Sequence, residues 1–128
     1  MELSIIIPAY NEEKRLPLTL QRVFEYLSIH YPGDYEVILA DDGSTDGSLE
    51  IARSYIDKGV KVVSQKNKGL SSARNTGIMN STGDWIYPLD SDDMMLENCL
   101  ERIFQAIQEN SEADVVAPSF KCFGLHDA

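Results

Sequence analysis

The sequence contains little cysteine, and this scarcity excludes two kinds of site. Cys99 and Cys122 are the two cysteines among 128 residues, and they show neither CxxC nor CxxH spacing. A closely spaced pair of zinc ligands is therefore absent, and a disulfide framework like that of small secreted domains is not expected. We predict that both cysteines are free thiols in a reducing compartment.

Long apolar runs and a targeting signal are also missing. No apolar stretch approaches the roughly 18 residues that a membrane span needs. The chain starts with Met1 and Glu2 and lacks a basic segment, and Pro8 soon interrupts the first apolar run, unlike a secretory signal. We therefore expect a soluble, cytoplasmic domain. Any attachment to the inner face of the membrane would come from a segment outside residues 1–128.

Basic residues are few. The 11 Lys and Arg residues stand against 21 Asp and Glu residues, which gives a formal net charge of −10. Such a balance repels phosphate backbones, so no nucleic-acid partner is expected. The acidic residues favour solubility, but they are concentrated in residues 41–46 and 90–93. Clusters of this kind suit a hard divalent cation.

Apolar runs alternate with helical patterns along most of the chain. Strands are predicted at residues 4–7, 36–40, 60–63 and 85–89, and a fifth is predicted to begin at 115–117. Helical spacing of apolar residues predicts helices at residues 13–29, about 45–55, 71–80 and 95–109. This alternation favours an α/β fold with an open, mostly parallel sheet and helices on both faces. The dinucleotide motif GxGxxG does not follow the first strand, which argues against a dinucleotide-binding domain.

Three polar segments each follow a predicted strand: residues 8–12, 41–44 and 90–93. Ligands of open α/β sheets bind outside the carboxyl ends of the strands. We therefore expect these segments to meet at one edge of the sheet.

The segment Asp90-Ser91-Asp92-Asp93 has two interpretations. Carboxylates packed this closely repel one another unless a cation lies between them or one takes up a proton. A magnesium or manganese ion carrying a diphosphate resolves the repulsion, because it accepts oxygen ligands from protein, phosphate and water. The alternative is an acidic turn in which Asp92 or Asp93 caps the next helix.

Asp41 and Asp42 also have two interpretations. They can form an Asx turn before a helix that is capped by Ser44 or Thr45, or they can accept hydrogen bonds from a base or a ribose. Tyr10 can stack on a planar base or line the sheet edge.

Arg74 is one of the few basic residues near these segments. It can donate two hydrogen bonds to a diphosphate, or it can be an ordinary surface arginine on a helix.

Together, four segments resemble family 2 glycosyltransferases with the GT-A fold. They occur in the expected order and at the expected spacing, and they cover roughly residues 3–98. Their sequences are SIIIPAYNE (residues 4–12), VILADDGSTD (37–46), NKGLSSARNTGI (67–78), and GDWI with LDSDD (83–86 and 89–93).

The resemblance implies roles for individual residues. Asp42 resembles the acid that binds the base, usually uracil, and Asp92 resembles the direct ligand of a Mg²⁺ or Mn²⁺ ion, with Asp90 near the ribose and the metal. The nucleotide-sugar-binding residues that it implies are Pro8, Ala9, Tyr10, Glu12, Asp41, Asp42, Gly69, Arg74, Asn75, Asp90 and Ser91.

The resemblance also implies an activity. It is the inverting transfer of a sugar from a nucleoside-diphosphate donor, usually UDP-linked, to a glycan or lipid-linked acceptor in cell-surface polysaccharide synthesis. The catalytic base of such enzymes lies in an acceptor-binding half. We therefore expect residues 1–128 to form a single donor-binding domain, truncated before that half, which alone binds donor weakly and transfers little sugar.

Two alternatives remain from the residues themselves. A magnesium-dependent phospho-receiver domain has a similar length, but its acidic pair follows the first strand, where this chain has residues 8–11, and Lys121 matches its lysine only loosely. The other alternative is a non-catalytic module that binds a nucleotide sugar.

Overall fold

The computed structural model describes residues 2–117. Within this range, four strands and four α-helices alternate, with one short 3-10 helix at Ile56–Lys58. In chain order the elements are β1 (Leu3–Ala9), α1 (Leu16–His30), β2 (Tyr35–Asp42), α2 (Ser48–Ser54), β3 (Val60–Gln65), α3 (Leu70–Met79), β4 (Trp85–Pro88) and α4 (Cys99–Glu109).

The four strands form one parallel sheet in the order β3-β2-β1-β4. The predicted parallel α/β fold and its first four strands are therefore confirmed. Parallel strands require crossover connections, and the helices between the strands provide them. A phospho-receiver domain has the order 2-1-3-4-5, so the observed order contradicts that alternative.

The central strand β1 is buried along its whole length. A strand that is covered on both faces by helices reads as a continuous apolar run, as residues 3–7 do. The strand continues through Pro8, which pairs with Ala40 of β2, although the sequence predicted its end there. Proline is tolerated because the pairing with β4 ends at Ile6, so no strand lies on the other side of Pro8.

Helices cover both faces of the sheet. α3 packs on the face that carries Ile6 and Ala40, and Gly77 makes this close approach possible, since a Cβ atom at Gly77 would lie 2.5 Å from Cγ2 of Ile6. The opposite face carries Ile5 and Leu39, which are fully buried. α2 contacts β2 and β3 and packs against α1. The buried residues of α1 are Leu16, Thr19, Leu20, Val23 and Leu27.

Three further local predictions are wrong. α2 begins at Ser48 after Gly47, with no side-chain cap, because Ser44 and Thr45 bind the loop that follows β1 instead. α4 begins at Cys99 rather than at residue 95. Residues 115–117 form no strand, and Val115 is 82% exposed, so this apolar run lacks the half-buried surface on which a strand packs. The continuation of that predicted strand lies outside the described residues.

The chain divides into two compact units, Met1–Met94 and Met95–Ala128. The first contains the whole sheet with α1, α2 and α3, and the second contains α4. No helix within residues 2–117 is both long enough and apolar enough to cross a lipid bilayer.

Candidate functional site

The candidate site lies at the carboxyl edge of the sheet, where three neighbouring strands end. Tyr10 follows β1, Asp41 and Asp42 end β2, and Asp90 comes two residues after β4. Adjacent strands are about 4.8 Å apart, so β2 and β4, on either side of β1, are separated laterally by roughly 10 Å. Tyr10 is 39% exposed between them. The predicted meeting of the three polar segments at one edge is confirmed by the strand order.

Asp42 is almost completely buried, and its carboxylate holds the loop between β3 and α3. One oxygen accepts hydrogen bonds from the Lys68 N–H at 2.8 Å and from the Gln65 side-chain amide at 2.9 Å, and the other accepts from the Gly69 N–H at 2.9 Å. Burial by itself raises the pKa of Asp42, but these three donors outweigh it and lower the pKa below its ordinary value. Asp42 therefore stays ionised, with part of its accepting capacity already used by the protein.

Asp41 is equally buried but differently bonded. Its Oδ2 atom accepts a hydrogen bond from the Ser44 N–H at 3.2 Å, the local turn that the sequence allowed as one interpretation. Its Oδ1 atom is, within residues 2–117, the one buried side-chain nitrogen or oxygen without a hydrogen-bond partner. An unsatisfied buried carboxylate oxygen costs free energy, so this strand end has accepting capacity that the chain itself does not use.

Three carboxylates gather in the turn after β4. One oxygen atom from each of Asp90, Asp92 and Asp93 lies within 4.8 Å of the others. Burial, followed by the charges of Asp92 and Asp90, raises the pKa of Asp93 above its ordinary value. The turn therefore has more negative charge than its surroundings compensate.

Two arginines lie beside this acidic cluster. Arg74, on α3, donates to Oδ1 of Asp90 at 2.9 Å. Arg15, just before α1, lies 3.9 Å from Oδ2 of Asp92 and 3.5 Å from the carboxylate of Glu12. Arg15 and Asp92 are 51% and 65% exposed, so their interaction is weakened by solvent. Asp92 and Asp93 are therefore less well neutralised than Asp90.

The cluster fits a divalent cation in the chemistry of its donors. Carboxylate oxygens are the ligands that Mg²⁺ and Mn²⁺ prefer, and a cation would relieve the repulsion that raises the pKa of Asp93. The alternative that Asp92 or Asp93 caps the following helix is wrong, because that helix begins at Cys99, after Asn98. An acidic turn is present, since the Asp93 N–H donates to the Asp90 carbonyl at 3.0 Å.

The other predicted site residues lie along the same edge. Pro8 and Ala9 are buried at the end of β1. The N–H of Gly69 donates to Asp42, and Gly69 has a left-handed φ of 97°. Asn75 is exposed on α3. Ser91 is buried, and its carbonyl accepts a hydrogen bond of 2.7 Å from the hydroxyl of Thr19.

Three residues of this edge were absent from the predicted set. Asp93 belongs to the same acidic run as Asp92, so the sequence alone could have indicated it as a site residue. Gln65 connects Asp42 to Ser72 and Thr76 of α3, and no motif marks it. Arg15 likewise becomes recognisable only when α1 is placed beside the turn after β4.

The family model described as Glycosyl transferase family 2 matches residues 4–126. The glycosyltransferase GlyG of Streptococcus pneumoniae serotype 4 is 38% identical in an alignment of 123 residues that covers 92% of this chain and 38% of GlyG. The cholesterol galactosyltransferase of Borreliella burgdorferi is 39% identical in an alignment of 127 residues that covers 97% of this chain and 34% of that protein.

A solved structure is similar over the same region. The crystal structure of S. aureus TarS 1-349 in complex with UDP-GlcNAc has a TM-score of 0.71 and 30% sequence identity, with 87% of this chain and 32% of that chain covered. The chain thus spans between 32% and 38% of the length of these three relatives. The resemblance carried by the four sequence motifs is confirmed: the chain belongs to glycosyl transferase family 2.

Proposed function

We propose that this chain is the donor-binding part of a glycosyltransferase that uses a nucleoside-diphosphate sugar, most simply a UDP-sugar, together with Mg²⁺ or Mn²⁺. The observation that carries this proposal is the gathering of three carboxylates at the end of β4, beside the exposed ring of Tyr10 and the acidic end of β2. Family membership and the UDP-GlcNAc complex of TarS support the choice of donor.

The ends of β1 and β2 together form the proposed site for the base of the nucleotide. At the end of β1, Tyr10 stacks on the base, next to Pro8 and Ala9. At the end of β2, Asp41 and Asp42 accept from the base N–H. Oδ1 of Asp41 lacks a donor, whereas Asp42 has three.

The diphosphate lies towards β4 and α3. Arg74 donates to its oxygens, and the N-terminus of α3, which has no side-chain cap, presents a positive dipole end to it. Asp92 and Asp90 would hold the cation, with Asp93 beside them. When bound, a divalent cation offsets the negative charge that develops on the leaving diphosphate.

The proposed reaction is a single displacement at the anomeric carbon of the donor sugar. The acceptor hydroxyl attacks the anomeric carbon from the side opposite the diphosphate as the bond to the diphosphate breaks, so the configuration inverts. A general base takes the hydroxyl proton. We propose a glycan or lipid-linked acceptor. We also propose that the base and the acceptor site belong to a region that the longer relatives have in addition to the matched part.

The test is a titration of the chain with UDP, with and without MnCl₂, in which the heat of binding is measured. We expect binding that depends on the metal. Asp92→Ala should weaken UDP binding in the presence of Mn²⁺ by at least about 100-fold, because loss of groups that merely support a metal ligand already costs 10- to 100-fold. Asp84→Ala is the charge-matched control, because Asp84 caps the Glu2 N–H at the opposite edge of the sheet. Equal UDP affinity with and without Mn²⁺, or equal losses in the two variants, contradicts the proposal.

A further inference from the structure

The loops that follow β1 and β2 are held together by hydrogen bonds in both directions. We call the two segments, residues 11–13 and 44–48, the loop brace. Three consecutive backbone N–H groups of the first loop donate to side chains of the second: Asn11 to the Ser44 hydroxyl at 3.0 Å, Glu12 to the Ser48 hydroxyl at 2.7 Å, and Glu13 to the Asp46 carboxylate at 3.3 Å.

The second loop returns these hydrogen bonds. The Thr45 N–H donates to Oδ1 of Asn11 at 2.8 Å, and the Gly47 N–H donates to Oε2 of Glu13 at 2.9 Å. The first contact involves an unusual backbone conformation at Asn11, and the second a close approach at Gly47. Asn11 has a left-handed φ of 51°, and a Cβ atom at Gly47 would lie 2.7 Å from Oε2 of Glu13. Each loop therefore caps the backbone of the other.

The loop brace lies directly beside the proposed base-binding residues. Tyr10 precedes Asn11, and Asp42 and Asp41 are two and three residues from Ser44. The strands fix the backbone only as far as Ala9 and Asp42, so the position of Tyr10 beyond β1 depends on the brace.

We propose that Asn11 and Glu13 are positioning residues that set the separation between Tyr10 and the acidic end of β2, and thereby the affinity for the base of the donor. This inference rests on the proposed function. A ligand group must be held within about 0.5 Å of its productive position, and residues on loops achieve this only when other contacts fix the loop. The brace consists of exposed or half-buried hydrogen bonds, so its contribution to global stability is modest.

The test compares Glu13→Ala with Glu13→Gln in the full chain. Both changes remove one negative charge, but glutamine keeps an acceptor for the Gly47 N–H. Loss of charge alone strengthens the binding of anionic UDP in both variants equally. The brace predicts that Glu13→Ala weakens UDP binding in MnCl₂ by about 3- to 10-fold, the effect of one net hydrogen bond, while Glu13→Gln retains most of the affinity.

Inorganic pyrophosphate with MnCl₂ provides the second readout, because it lacks a base. Glu13→Ala should not weaken pyrophosphate binding, since for this anion only the loss of one negative charge acts, and Asn11→Gly, which keeps the left-handed backbone but loses the side chain, should weaken UDP binding alone. Thr82→Ala is the stability control, since it removes side-chain hydrogen bonds at the opposite edge of the sheet. It should lower the melting temperature without changing UDP affinity.

The outcomes separate the two proposals. If the wild-type chain binds no UDP in MnCl₂, the proposed function itself fails. If the wild type binds UDP and Glu13→Ala binds it equally well, or loses UDP and pyrophosphate affinity in parallel, the positioning role is wrong.

Discussion

The two edges of the same sheet use carboxylates in opposite ways. At the amino edge, Glu36 accepts hydrogen bonds from the Ser4 hydroxyl at 2.5 Å and from the Thr82 N–H at 2.6 Å. Burial raises the pKa of Glu36, but these donors and nearby Lys61 outweigh it, so the pKa is lower than usual. At the carboxyl edge, burial and like charges raise the pKa of Asp93.

The difference separates groups that stabilise the fold from groups that are available for a ligand. A carboxylate surrounded by donors stabilises the folded chain in its ionised form. A carboxylate surrounded by other carboxylates destabilises the ligand-free chain and gains when a cation arrives. The unpartnered Oδ1 of Asp41 is also available for a ligand, but for a hydrogen-bond donor rather than a cation. Three experiments address this contrast, from the largest expected effect to the smallest.

Glu36→Ala should lower the free energy of unfolding by about 1.5–3 kcal/mol, because the change leaves Ser4 and Thr82 without their charged acceptor. Urea unfolding measures the loss. Glu36→Gln is the matched control, because it keeps an acceptor and should lose less. UDP affinity should be unchanged in both variants. A loss of UDP affinity in parallel with stability would contradict the conclusion that carboxylates at the amino edge only stabilise the fold.

Asp93→Asn should raise the free energy of unfolding of the metal-free chain by roughly 0.2–1 kcal/mol, a small gain because Asp93 is exposed and its repulsion is screened. The amide removes repulsion from Asp90 and Asp92 while keeping an acceptor oxygen. In MnCl₂ the wild type should have the higher free energy of unfolding, since it gains more stability from the bound cation than Asp93→Asn does. Urea unfolding with and without the metal checks both statements. If the metal-free Asp93→Asn variant instead has a lower free energy of unfolding than the wild type, the negative charge of the cluster is already compensated by neighbouring groups.

The pH dependence of Glu36 should be the smallest effect. Because the pKa of Glu36 is lowered in the folded chain, its contribution to stability is complete above its ordinary value of 4.5 and is lost as the pH falls through the lowered pKa. The stability difference between wild type and Glu36→Gln should therefore shrink on acidification. Urea midpoints measured from neutral pH down through this window test the sign; a difference that grows in acid contradicts it.

Much of the fold follows from local pattern. The four strands and the order of the elements were predicted because apolar runs of 4–8 residues and helical spacing are strong signals. The N-terminus of α2 was missed, because Ser44 and Thr45 make better bonds to a loop 33 or 34 residues away than to their own helix. The first turn of α4 and the strand at residues 115–117 were over-predicted from apolar content alone.

The candidate site, like the fold, was predicted only in part from the sequence. Sequence placed Tyr10, Asp42 and Asp92 at strand ends, and the parallel order brought those ends together. The resemblance assigned the base to Asp42, but the sequence did not indicate how differently the two acids of β2 are hydrogen-bonded. Three donors from the β3–α3 loop occupy Asp42, whereas Asp41 keeps a free oxygen.

The sequence by itself determined that this is a parallel α/β chain of glycosyl transferase family 2 with acidic segments after its strands, because periodicity, strand-end chemistry and motif order are properties of neighbouring residues. Only the tertiary structure decided which carboxylates are compensated and which are not. That depends on donors brought in from distant segments, as Thr82 is to Glu36, Gly69 to Asp42 and Arg74 to Asp90. Hydrogen bonds and charge interactions act over a few ångströms of space, and sequence separation does not specify which groups come within that distance.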